Sequence, residues 1–296
     1  MAALSALDLV TTPVPLLGSL GLTVDVGVSG DDPLAERHAD EVFRLLLSLH
    51  ADGRLVERLE LDPVGPGQRR LVPVSALAAE RGIDGDGLAV VHRVPTSVAP
   101  FGSDPDVEVA AELVEQYDMY RAMVQLSMPG CGAGGVIYET PPRLNVTAGR
   151  SRPATALMFT SKVVLGPGVR TVVVALNHSL EPAWSTAVPV RAELLDAAGA
   201  TVGRGEVTVP PFGVSVLEVR DLLDGPAPTT WQNFSMAAWS TGGALVFLVV
   251  QLGDSHVAVE HTHPPQAYLL PDAQAVRYRI KDEAIAAWDR RFEAAR

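Results

Sequence analysis

Residues 50–77, HADGRLVERLELDPVGPGQRRLVPVSAL, align without a gap onto residues 196–223, DAAGATVGRGEVTVPPFGVSVLEVRDLL. Ala51, Gly53, Val56, Arg58, Glu60, Gly67, Leu71 and Leu77 are matched by Ala197, Gly199, Val202, Arg204, Glu206, Gly213, Leu217 and Leu223. Two further blocks keep the same order. LTVDVGVSGDDP (22–33) has the pattern of RTVVVALNHSLEP (170–182), and VQLSMPGCGAGGVIYETPP (124–142) that of VQLGDSHVAVEHTHPP (250–265). Matched blocks in one order are the signature of duplication, and they constrain the chain to two units of one architecture. The expected units are 1–145, carrying an insertion at 97–123, and 146–275, followed by a C-terminal segment at 276–296.

Each unit reads as β structure. RTVVVALNHS is a β-branched run closed by turn formers. RAELLDAAGATVGRGEVTVPP has hairpin form, with a turn at Ala198-Gly199 and a Pro-Pro stop. The matched turn in the first unit is Asp52-Gly53. The chain has 26 Gly and 23 Pro, a supply of breakers that suits many short strands better than long helices. Short strands at 8–12-residue spacing predict an all-β fold of two tandem antiparallel β-sandwiches. The pattern resembles Ig-like or fibronectin-type modules, and that resemblance implies architecture without an activity. Two segments depart from it. Residues 106–123 have room for a helical turn or two. In 276–296, Ala284, Ile285, Trp288 and Phe292 share one face at helical spacing, which predicts an amphipathic α-helix. That helix would pack on a sandwich, or serve a partner chain or homo-oligomer.

Several function classes are disfavoured by charge and composition. A net charge of −12 without a Lys/Arg run argues against nucleic acid as a partner. The single cysteine, Cys131, excludes an intramolecular disulfide and a Cys-rich zinc site. The first residues lack the pattern of a signal peptide, and the longest apolar run, ALVFLVVQL (244–252), is too short to span a membrane. A cytoplasmic protein is expected, in which the sequons at Asn145, Asn177 and Asn233 are accidental.

The chemistry-bearing stretch is VAVEHTHPPQAY (257–268). Taken as a strand over 253–263, it places Val257, Val259, His261 and His263 on one face, which the valines mark as buried. Pro264 and Pro265 stop the ladder. A His-x-His pair can chelate zinc or non-haem iron if a third ligand joins it, with His92 and His178 as candidates. Glu260 faces the other way unless a bulge turns it in. The cupin His-x-His is followed by a Glu three or four residues on, where this chain has Pro264, Pro265, Gln266 and Ala267. The first unit's VIYETPP keeps a glutamate, Glu139, and the double proline but has no histidines. The corner is therefore shared scaffold, and the histidines are special to the second unit. PGCGAGG (129–135) lacks a P-loop lysine and reads as a hairpin tip. Tyr117, Asp118, Tyr120 and Arg121 form a polar–aromatic cluster suited to lining a ligand pocket. The expected function is that of a non-catalytic binding or assembly protein. Its inter-domain cleft would hold a small hydrophobic molecule or a partner protein. The alternative is a small-molecule enzyme using His261 and His263, with or without a metal. No cofactor is required by the sequence.

Overall fold

The computed structural model describes residues 10–30, 42–96, 122–138, 145, 154–179, 183–261 and 274–295. The strands are β1 (Val10–Leu17), β2 (Thr23–Ser29), β3 (Phe43–Ala51), β4 (Arg54–Val64), β5 (Arg69–Val72), β6 (Asp86–Pro95), β7 (Ala122–Ser127) and β8 (Ala133–Tyr138). They continue as β9 (Ala156–Leu165), β10 (Val169–Asn177), β11 (Val188–Leu195), β12 (Thr201–Val209), β13 (Gly213–Glu218), β14 (Gln232–Ser240), β15 (Val246–Gly253) and β16 (Val257–His261). Two helices accompany them, α1 (Val74–Ala79) and α2 (Gln274–Glu293).

The strands form four antiparallel sheets. Sheet I has the order β1-β6-β3-β4 and sheet II β5-β2-β7-β8; sheet III has β12-β11-β14-β9 and sheet IV β13-β10-β15-β16. Adding eight to every strand number of sheet I yields sheet III read from its other end, and the same step turns sheet II into sheet IV. The blocks matched in sequence thus lie in strands with the same place in each sandwich. Both matched turns are hairpin turns with glycine in the left-handed region, Gly53 at φ 73 and Gly199 at φ 79. They differ in length. Ala51 pairs with Arg54 across a two-residue turn, and Leu195 pairs with Thr201 across a five-residue loop. Asp196 holds that loop by accepting the Ala198 and Ala200 amides on Oδ1 at 2.9 and 2.8 Å.

Alternation explains most strands. In β2, Val24, Val26 and Val28 are buried while Thr23, Asp25 and Gly27 face outward. Sheet IV is different. The runs TVVVAL and VFLVV have no polar alternate, and β10 and β15 bury both faces. Val173, Ala175, Phe247 and Val249 join the core of the second sandwich. Val172, Val174, Leu176, Val246, Leu248 and Val250 join the core cluster of the first. The layers therefore run sheet II, sheet I, sheet IV, sheet III, with β6 against β13 and β1 against β10 at the middle seam. Beside that seam β8 runs along β16, and a Cβ on Gly134 would stand 2.6 Å from the Val257 carbonyl oxygen, so only glycine admits this approach. Where the sequence suggests a cleft for a ligand, the described residues of the seam are packed side chains, apolar for the most part.

α2 closes the stack on the outer face of sheet III. Ala284, Ile285, Trp288 and Phe292 pack with Leu157, Ala237 and Trp239. The face that the sequence offered to a sandwich or a partner is covered by this chain's own sheet. The expected helical turns at 106–123 fall on residues 106–121, outside the described residues, and on the first two residues of β7.

Candidate functional site

The EHTH corner departs from its expected form at both ends. Residues 254–256 are not strand but a turn, closed by the Gly253 amide donating to the His256 carbonyl at 3.0 Å. β16 begins only at Val257. From there the alternation holds. Val257, Val259 and His261 pair with Leu252, Val250 and Leu248, all on the face of sheet IV turned to the first sandwich and away from its own core. The His261 Nδ1 lies 3.1 Å from the Phe247 carbonyl oxygen and donates to it. Glu260 faces the other way and pairs with Lys162 Nζ at 2.9 Å. No bulge turns it toward His261. His263, Tyr117, Tyr120 and Arg121 lie outside the described residues.

His92 and His178, offered by the sequence as metal ligands, meet instead at the seam with a residue that sequence reasoning passed over, His50. Strand register puts His50 and His92 on the face of sheet I turned to sheet IV, since His50 pairs with Leu88 and His92 with Leu46. His178 follows β10 and is buried. Phe212, at φ 46 in the turn before β13, wedges between the sandwiches. Its ring stacks on His50 at 5.0 Å and meets His178 edge-on at 6.1 Å. Burial lowers the His50 pKa to about 4 despite a bond to the Leu88 backbone, and the Arg58 guanidinium lowers it further. Burial, Arg58 and His50 bring His92 to about 4. Burial, with His92 and His50 near, takes His178 well below its usual value. Among the described residues no three His, Cys, Asp or Glu converge to hold a metal ion, so His92, His178 and His261 form no ligand set. A signal for His50 was present: it ends the apolar run FRLLLSL, where a polar ring must be buried.

Cys131 sits at the tip of the β7–β8 hairpin, as the glycine pattern predicts. Its Sγ donates to the Asp254 carbonyl at 3.4 Å and lies 3.7 Å from Met128 Sδ. Asn145 and Asn177 are buried, and their amides bond one another at 3.2 Å. Folded, neither sequon is open to modification.

A pocket of 420 Å³ lies at the far side of the first sandwich. It forms where β2 leaves β5. Past Val72 the chain turns into α1, and Ser75 Oγ accepts the Val24 amide at 2.8 Å in place of a ladder partner. Leu16, Leu17, Leu22, Ala76, Ala79 and Ile83 make its walls, and Asp25 and Asp84 its acidic groups. Asp25 is half-buried, and burial raises its pKa. Among the described residues no donor or cation meets its carboxylate. The sequence hides this site because its walls come from segments some 60 residues apart.

No protein-family model matches the chain, and no curated protein matches it. Solved structures with a likeness include a glycosyl hydrolase family 2 member from Bacteroides cellulosilyticus, at 12% identity and TM-score 0.18, covering 85% of this chain and 27% of that one. A β-glucuronidase from Bifidobacterium dentium, complexed with coumarin-3-O-glucuronide, has 15% identity and TM-score 0.17 over 86% of this chain and 38% of that one. The chain spans well under half the length of either, and likenesses this distant carry no argument about activity.

Proposed function

We propose that this chain is a non-catalytic binding protein that holds a small hydrophobic molecule with a cationic head in the pocket beside α1. The observation that carries the reading is Asp25, a half-buried carboxylate without a partner among the described residues, set in apolar walls. Burial of a carboxylate disfavours its charge, and a cation brought beside it restores the balance, while the walls take an aliphatic body. The catalytic alternative has less support, since His261 is tied to a backbone carbonyl and Glu260 to Lys162. The same proposal includes duplication of one Ig-like unit, supported by the shared strand order and the eight matched residues. A cytoplasmic setting is supported by the single cysteine, and among the described residues no helix is long and apolar enough to cross a membrane.

Calorimetric titration of the intact chain at pH 7 with octylammonium, octanoate and octanol tests the reading. Octylammonium is expected to bind best. Asp25→Asn should weaken it by about tenfold and leave octanol unchanged. Octanoate binding as well as octylammonium, or an Asp25→Asn variant that binds octylammonium like the parent, overturns the proposal.

A further inference from the structure

Three imidazoles from three separate segments, β3, β6 and the residue after β10, meet where sheet I lies on sheet IV. Among the described residues the His178 Nδ1 and Nε2 and the His50 Nδ1 are buried without a hydrogen-bond partner. A neutral ring tolerates such a place. A protonated ring carries two N–H donors and a charge; among the described residues His178 has no acceptor for either donor, and His50 has the Leu88 backbone for one and none for the donor on Nδ1. The charged neighbour on sheet I is Arg58 from β4, a like charge. Glu60, on the same face of β4, is engaged by Arg44 at 2.9 Å. Sheet IV and the linker offer the amides of Asn177 and Asn145, which already bond one another. Among the described residues no carboxylate acts on the three rings. Phe212 would give His50 some cation–π attraction if it charged. Burial outweighs that attraction, as the direction of the shift states.

We propose that the seam between the sandwiches is an acid-operated joint, in which protonation of His50, His92 and His178 lifts sheet I off sheet IV while the second sandwich keeps its core. The core of the second sandwich is a separate cluster that includes none of the seam residues, so the seam can open without it. Opening returns each ring to water and to its ordinary pKa of about 6.5. Rings held near 4 when closed then favour the open form by roughly twentyfold each on going from pH 7 to pH 5.

Val173 and Val174 are neighbours on β10 with opposite fates: Val173 faces the second core and Val174 the seam. In a Cys131→Ala background, Val174→Cys and Val173→Cys report seam opening and unfolding of the second sandwich. The rate of labelling by a disulfide reagent active in acid is measured from pH 7 to pH 5. It is divided by the rate of a free cysteine peptide at each pH. Val174→Cys is expected to gain at least about twentyfold, with Val173→Cys unchanged. No gain at Val174→Cys, or equal gains at both, overturns the joint. Adding His50→Gln, His92→Gln and His178→Gln together should abolish the gain, and a gain that survives them is equally fatal. If circular dichroism shows that the triple variant does not fold at pH 7, His50→Gln and His178→Gln singly should each remove about one ring's share, and a full gain in both overturns the proposal.

Discussion

Gly53 and Gly199 occupy matched positions and share a left-handed backbone, yet substitution will not cost the same at the two. A Cβ on Gly199 meets nothing within 4 Å, so Gly199→Ala adds only backbone strain, about 1 kcal/mol. A Cβ on Gly53 stands 2.8 Å from the Pro211 carbonyl oxygen of the other sandwich, a backbone atom that cannot step aside. Gly53→Ala should therefore cost about twice as much, read as the difference in urea midpoints at constant slope. Equal costs would mean that the turn does not press on the seam. Arg58 and Arg204 carry the same lesson. They match in the repeat and sit on equivalent outer faces, opposite Ser48 and Glu193. Arg204 pairs with the fully buried Glu193 at 2.9 Å, whereas Arg58 acts on the histidines of the seam. A matched residue preserved its place in the sheet, but its neighbours across the layer decided what it does.

At the scale of elements, α2 was legible from its apolar stripe, and its docking site was not. The stripe lands on Trp239, whose ring meets Trp288 at 5.8 Å and Phe292 edge-on at 5.7 Å. The Trp239 Nε1 donates to Asp289 at 2.6 Å, and Arg291 reaches Glu193 at 3.1 Å. Ile285→Ala should weaken docking by about 2 kcal/mol or more, because Ile285 is buried against the sheet. On heating, the helical signal at 222 nm should then fall before the β signal. One coincident transition would show that the helix is not a separate element of stability. The strands β10 and β15 were legible in another way. An apolar run without polar alternates already predicts burial on both faces, although not which layer lies on each side.

The whole molecule is a stack with buried histidines at its middle, and these set its response to pH. The folded pKa values of His50 and His92, about 4, lie below the unfolded value of about 6.5. Between those limits the unfolded chain binds more protons than the folded one, so stability rises with pH there. It is fully present above pH 6.5 and declines as pH falls toward 4, by at most about 3 kcal/mol for each ring. Urea midpoints at pH 7.5, 6, 5 and 4.5 check the sign. A midpoint that stays level or rises on acidification would show that the rings are solvated in the folded state.

From the sequence alone follow the β class, the pairing of repeat blocks, the glycine turns, the alternation of β16 and the apolar face of α2. Each is a local property, carried by side-chain period or by one residue's backbone freedom, and acts within a few residues of where it is written. Tertiary structure alone decided which layers cover the two faces of sheet IV, that His50, His92 and His178 share a seam, that β16 turns its valines toward the first sandwich, and that Asp25 lies in a pocket. These depend on which of two equivalent faces meets which layer. His50 and His178 stand 128 positions apart (178 − 50), and no periodicity within either unit specifies how the units stack, because alternation states that a face is buried without naming what buries it.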